Sequence, residues 1–510
     1  MDHTDRLRGI GGEEAFEMRQ GIEIHSRTRL QAAAAALIPV GLAAGLFAGA
    51  LAAQPALAAP AHAAARGPEN ILPESISAPA TADAPRPAAS QAPATSPSDA
   101  AGAADVSATS DPVIQPLPVI EPEMEWAADD ARALLEVIEG IGSEGLLPGD
   151  YRPDVLRMAL EQGEGDALNA AASKSFAWLA EDLRDGRTPM SAREQWFAVD
   201  PDQDIMPTGT LMQTALETHD VPGVLAGLAP THPDYLALKE ELAATPEEDR
   251  EKRALIRINM DRWRWLARDL GGAYLMTNVP EFQLRLTVKD RIIRTYRTIV
   301  GKPGRTATPQ LAETVSGVVF NPTWTVPQSI VKGEGLGARL LANPASARRQ
   351  GYKVTRGADG TIYVVQQPGA NNSLGLMKID IPNPHAIYFH DTPAKHLFDR
   401  DVRAFSHGCI RTERAVELGM TMAILGAQLP PEEAAEISRS GKYTKVEMTR
   451  TFPAYITYFT MGRDIDGNLT SFKDIYGRDQ AVLESFREPR QIKTTQRKSD
   501  EPIIQLDNPL

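Results

Sequence analysis

Cys409 is the single cysteine of a 510-residue chain. It stands in the string Ser406-His407-Gly408-Cys409-Ile410-Arg411, with a second histidine, His390, upstream. A lone thiol is more often a small buried apolar side chain than a nucleophile. This one has polar and flexible neighbours and two imidazoles close by in sequence. Thiolate chemistry requires such a setting: an accessible sulphur and a base that removes its proton. Two histidines allow two roles, one moving the proton between Cys409 and a leaving amine, the other orienting the loop or stabilising charge. Gly408 leaves the approach to the sulphur open, and backbone N–H groups around Gly408 and Cys409 are suited to an oxyanion. The rival chemistry is zinc held by His390, His407 and Cys409. No second cysteine and no obvious fourth ligand accompany them, so neither metal nor cofactor is expected. An inert buried cysteine and a generic cysteine peptidase, which shares the His-then-Cys order, are the other readings of the residues alone.

The elements that must position these groups follow from periodicity. Ala386 to His390 reads as a strand that ends on the first histidine. Cys409 is expected to open the run into a helix, Thr412 to Leu425, with Val416, Met420 and Ile424 on one face. A helix N-terminus there would favour the thiolate. Phe282, Leu284, Leu286 and Val288 alternate as a strand does, and Arg291 to Val300 follows as a second one. Val318 to Phe320 is a short strand. Tyr352 to Arg356 and Thr361 to Gln366 pair through Asp359-Gly360 as a hairpin. The segment from Trp324 to Asn372 is long, rich in Gly, Pro and Asn at its ends, and able to hold a flap over a site. Many short strands predict a β-sandwich-like or barrel-like domain. Before it the pattern is helical: Leu134, Ile138 and Ile141 share a face, as do Phe176, Leu179, Ala180 and Leu183. Ile256, Met260, Trp263, Ala267 and Leu270 form a longer stripe up to Gly271-Gly272.

Taken together, His390 and the Ser406 to Arg411 string resemble the signature of the L,D-transpeptidases, cysteine enzymes that remodel peptidoglycan and carry a YkuD-type catalytic domain. The likeness extends outward through Val300-Gly301-Lys302-Pro303, Val319-Phe320-Asn321-Pro322-Thr323-Trp324-Thr325-Val326-Pro327, Asn383-Pro384-His385-Ala386 and His390-Asp391-Thr392-Pro393-Ala394-Lys395. Asn259-Met260-Asp261-Arg262-Trp263-Arg264-Trp265-Leu266 and Asp474-Ile475-Tyr476-Gly477-Arg478-Asp479 resemble the large, periplasmic, multidomain branch. The resemblance implies that Cys409 attacks the carbonyl of the third, diaminopimelate-type residue of a tetrapeptide stem and releases D-alanine. The acyl group then passes to an acceptor amine, giving a 3-3 cross-link. It makes Cys409, His390 and His407 the catalytic set, with His390 as proton shuttle held by an oxygen of Asp391. Ser406, Gly408 and Asp391 support the site and the oxyanion, while Arg411, Tyr388 and Trp324 are candidates for substrate binding. The small peptidoglycan-binding module of the branch is missing, since only Lys239 to Arg253 separates the flanking helices.

Composition agrees with such a protein. The net charge of −14 argues against a nucleic-acid partner, because phosphate binding needs a basic surface. Arg27 and Arg29 precede an apolar run that ends near Ala56-Leu57-Ala58, as a signal peptide or an inner-membrane anchor through residues 32–53 would. The fold class is α+β: a mainly β catalytic domain with an N-terminal helical scaffold. The expected order is signal peptide or anchor at 1–59, Ala/Pro-rich disordered tether at 60–125, helical scaffold at 126–272 and catalytic domain at 273–445. A C-terminal segment at 446–486 packs on scaffold or catalytic domain, and a disordered tail covers 487–510. Expected partners are peptidoglycan tetrapeptide stems and, in one version, an envelope protein as acceptor, all in the periplasm. A free D-amino acid or water as acceptor, and a non-catalytic wall-binding scaffold, are the alternative functions.

Overall fold

Leu134 and Ile138 lie one turn apart on the helix Ala128–Gly140 and are fully buried. Phe176, Leu179 and Ala180 are equally buried on the helix Asp166–Asp185. With Ile141 and Leu183 they form one apolar core of the helical region, as a 3.6-residue period requires. The computed structural model describes residues 118, 123–198, 202–289, 291–494, 504 and 506. All of these fall in the unit 107–510. The signal-or-anchor segment, nearly all of the tether and much of the tail lie outside the described residues. Among the described residues no helix is long and apolar enough to cross a membrane.

The stripe through Ile256, Met260 and Trp263 ends with its helix, Arg250–Trp263, seven residues earlier than the apolar pattern implies. Tertiary demands stop it. The Asp261 carboxylate accepts the N–H groups of Arg187 and Thr188 and Nε1 of Trp265. Trp263 stacks between His232 and Phe459, at ring separations of 4.2 and 4.5 Å. Only residues 245–249 separate this helix from its predecessor, Pro233–Ala244.

The strands are β1 Ala273–Asn278, β2 Gln283–Val288, β3 Arg291–Gly301, β4 Leu311–Thr314, β5 Gly317–Phe320, β6 Trp324–Thr325, β7 Tyr352–Arg356 and β8 Ile362–Gln366. They continue as β9 Met377–Asp380, β10 Phe389–His390, β11 Ala404–Ser406, β12 Ile410–Thr412, β13 Thr444–Glu447, β14 Pro453–Thr457, β15 Met461–Arg463 and β16 Leu469–Ser471. Eleven of them join one sheet in the order β13-β5-β9-β10-β12-β3-β2-β1-β14-β4, with β11 pairing β3. β7 and β8 form the expected hairpin, with Gly360 at φ +80° in its turn. Phe282, Leu284 and Leu286 are buried in the sheet core, and Val288 packs against it. β14 lies between β1, to which it is parallel, and β4. The segment 446–486 thus inserts a strand into the sheet, while its Phe459, Met461 and Val482 share a core with Trp263 and Trp265.

Two expectations need correction. The helix after the cysteine is Ala415–Ala427, and β12 intervenes before it. Its buried face is Ala415, Leu418, Gly419, Met422, Ala423 and Gly426, not the Val416, Met420 and Ile424 face. Small residues bring this helix close to the sheet: a Cβ at Gly419 would lie 2.6 Å from Cγ of Met377. The tail is not disordered through its described residues 487–494. Arg490 is buried and donates to Glu181 and Asp182 of the helix Asp166–Asp185, where burial raises the Glu181 carboxyl. The segment 324–372 contains the expected hairpin. Besides β6, β7 and β8 it holds the helices Gln328–Gly333, Leu336–Ala342 and Pro344–Arg349 around Val326, Val331, Leu340, Ala347 and Val364.

Candidate active site

β10 and β12 pair in parallel, with Phe389 opposite Ile410 and His390 opposite Arg411. The Ile410 N–H donates to the Tyr388 carbonyl at 3.0 Å, which carries the pairing back towards Cys409. Because strand side chains alternate, Tyr388 and His390 fall on one face of this pair, together with Cys409 and Arg411. Sheet pairing brings four of the candidate residues to one surface.

Cys409 is half-buried and its sulphur donates to the Ala386 carbonyl at 3.5 Å. Burial pushes the thiol up, opposed by the neighbouring Tyr388 N–H and phenol and by the charges of Lys378 and Arg411. The helix dipole expected to lower it is absent, since the intervening strand places the helix start at Ala415 and the dipole acts only over the first turn. The thiol is neutral at rest and needs a base.

His390 fits that need. It is buried, and burial with the neighbouring Arg411 and Lys378 charges lowers its pKa to about 3. Nδ1 donates to the backbone oxygen of Asp391 at 2.5 Å. This fixes the tautomer and leaves Nε2 as an unprotonated acceptor. Asp391 is itself buried. Its carboxylate accepts from the Leu376 N–H at 2.9 Å and from Lys395, so its side chain anchors the turn while its carbonyl holds the histidine.

Ser406 is buried, donates to the Cys409 carbonyl at 2.6 Å and accepts from the Gly408 N–H at 3.2 Å. The Gly408 N–H is therefore committed within the loop and is not a free oxyanion donor. The Cys409 N–H has no partner among the described residues. Gly408 sits at φ +120°, a conformation glycine adopts without penalty. His407 Nε2 meets Glu334 Oε1 at 2.9 Å, with both side chains about half exposed. Arg411 is half-buried, burial lowers its guanidinium pKa, and its Nε has no partner. Burial raises the pKa of the Tyr388 phenol far above the ordinary value, and the neighbouring Trp324 opposes this. Lys378 lies 4.4 Å from the Tyr388 ring.

The sequence did not single out Thr308, whose hydroxyl donates to the Gly408 carbonyl at 2.8 Å. Nor did it single out Glu334. No motif marks either residue. A cavity of about 660 Å³ lies away from Cys409, beside Trp265, Arg268 and Tyr455.

Comparison with known proteins matches residues 272–419 to the family model of the L,D-transpeptidase catalytic domain and residues 123–242 to that of the Scaffold domain. A provisionally named L,D-transpeptidase of Haemophilus influenzae is 28% identical over 223 residues, 41% of this chain and 45% of that protein. The chain thus spans under half the length of that relative. Among solved structures, an L,D-transpeptidase from Mycobacterium smegmatis is 15% identical over 37% of this chain and 59% of its own, with a TM-score of 0.18. L,D-transpeptidase 3 from Mycobacterium tuberculosis, in complex with a faropenem-derived adduct, is 12% identical over 37% and 60%, with a TM-score of 0.20. Both are remote likenesses. On the two family-model matches, this chain carries a Scaffold domain followed by the catalytic domain of the L,D-transpeptidase family.

Proposed function

We propose that the protein is a peptidoglycan L,D-transpeptidase in which Cys409 is the nucleophile and His390 its base. One observation carries this reading: a neutral thiol shares a sheet face with a buried, neutral histidine whose Nδ1 is tied to the Asp391 carbonyl. As Sγ attacks the carbonyl carbon of the third stem residue, its proton passes to His390. The tetrahedral oxyanion faces the Cys409 N–H. Collapse breaks the C–N bond, and the departing D-alanine amine takes the proton from His390, leaving a thioester. An acceptor amine from a second stem attacks the thioester, gives up a proton to His390, and the thiol is restored. The product is a 3-3 cross-link.

Arg411 supplies an unpaired cation beside the nucleophile, suited to a stem carboxylate. Tyr388 and Trp324 line the approach, and His407 orients the loop through Glu334. Ser406 and Gly408 hold the loop rather than the oxyanion. The periplasm is the compartment that holds this substrate, with the N-terminal segment as export signal or anchor.

The test mixes full-length protein and Cys409→Ala protein with disaccharide-tetrapeptides and reads products by mass spectrometry. The expected product is a cysteine-dependent dimer that has lost one D-alanine. Loss of D-alanine without a dimer would replace transpeptidation by hydrolysis or by a protein acceptor. No change in either sample would discard the reading in favour of a non-catalytic wall-binding protein.

A further inference from the structure

The Asn259 to Leu266 and Asp474 to Asp479 strings have no part in the chemistry above, yet they meet in space. Arg262 Nη1 donates to Asp479 Oδ1 at 2.6 Å. The Arg262 and Arg478 guanidinium groups lie 5.3 and 4.9 Å from the Tyr458 ring. From this junction the hydrogen bonds converge on Thr308, which is fully buried. Its N–H donates to the Tyr476 hydroxyl at 3.2 Å, and its carbonyl accepts from Arg478 Nη2 at 3.4 Å. The Tyr476 hydroxyl donates in turn to the Gly301 carbonyl at 2.7 Å, and the Gly301 N–H donates to Thr308 Oγ1 at 2.9 Å. Only glycine allows this approach, because a Cβ at Gly301 would stand 1.9 Å from the Thr306 carbonyl. The helical region enters through Gln195: its side-chain oxygen accepts from Arg478 at 2.6 Å, and its carbonyl accepts from the Gln310 N–H at 3.0 Å.

Thr308 then donates its own hydroxyl proton to the Gly408 carbonyl. That carbonyl and the Cys409 N–H belong to one planar, trans peptide unit and so point in opposite directions. Holding the carbonyl towards Thr308 holds the N–H away from it. With glycine on one side of the unit, little else in the backbone prevents the plane from turning. We propose that Thr308 is a positioning residue whose hydroxyl, braced by Tyr476 and Arg478 and through Gln195 by the helical region, aims the Cys409 N–H as the oxyanion donor. This rests on the transpeptidase reading and assigns a task to two strings outside the nucleophile loop.

The test compares parent, Thr308→Val, which deletes the hydroxyl at nearly constant volume, and Thr308→Ser, which keeps it, all as full-length protein. Two reactions of Cys409 are followed by mass. Alkylation by iodoacetamide displaces iodide at carbon and develops no oxyanion. Acylation by a carbapenem forms a thioester, breaks the lactam C–N bond, delivers the proton to nitrogen and passes through an oxyanion. Thr308→Val should slow acylation at least about tenfold while alkylation stays within about twofold, and Thr308→Ser should keep both near the parent rates. Tyr476→Phe removes a brace, should slow acylation about threefold, and serves in place of the valine protein if that protein does not fold. Acylation of Thr308→Val at the parent rate would overturn the proposal, as would an equal loss in both reactions, the mark of a collapsed loop. A parent that alkylates but is never acylated would refute the transpeptidase reading itself, and this inference with it.

Discussion

Behind Cys409, Ser406 and Thr308 are buried and bonded to the loop carbonyls at 2.6 and 2.8 Å. In front of it, the 324–372 segment meets the same loop through Glu334 and His407, both half exposed. The neighbouring Ile410 belongs to the core of the large sheet, while the front segment is built on a small cluster of its own. Exposed ion pairs contribute little, whereas breaking a buried hydrogen bond leaves a stranded polar group. The contrast separates the two sides: buried hydrogen bonds hold the rear of the loop, and an exposed pair meets its front.

The largest effect tests the rear. Cys409→Ala should abolish the covalent carbapenem adduct in intact-protein mass spectra while leaving the melting temperature close to that of the parent. His390→Gln should slow acylation by about 10² to 10⁴-fold, the usual share of a positioned base, in a stopped-flow assay. An unchanged rate would remove His390 from the mechanism. The third prediction concerns pH. His390 has a pKa of about 3 in the fold against an ordinary histidine value of 6.5, so between these limits only the unfolded chain binds the proton. Its contribution is complete above pH 6.5 and is lost progressively as the pH falls towards 3. Urea unfolding of the parent should weaken over that window more steeply than that of His390→Gln. The smallest effect tests the front. Glu334→Gln should change acylation no more than about fivefold, as an exposed pair dictates. A loss comparable to that of His390→Gln would erase the distinction between the two sides.

Much of this was legible in the residues. Alternation marked β2, the Asp359-Gly360 turn marked the β7–β8 hairpin, spacing with residue type marked Cys409 with His390, and the family resemblance added Asp391 and Arg411. What escaped depends on distant contacts. Ile410-Arg411-Thr412 is too short to declare itself a strand, so the helix was expected from Thr412, straight after the cysteine loop. The following helix is apolar nearly all round, and its buried face is chosen by small size rather than by hydrophobicity. Arg490 lies in a charged stretch that reads as solvated, yet its partners Glu181 and Asp182 wait on a helix three hundred residues earlier. Thr308 bears no mark, because its task is defined by a carbonyl a hundred residues on.

β14 pairs in parallel with β1 although one lies at 453–457 and the other at 273–278, and the brace beneath the nucleophile loop arrives later still, at Tyr476 and Arg478. During synthesis from the N-terminus, neither the sheet nor the bracing of Thr308 can be completed until residues 453–478 have emerged. Pairings of such long sequence separation also form slowly. An unfinished chain therefore has the Cys409 thiol without the hydrogen bonds that hold its loop from below.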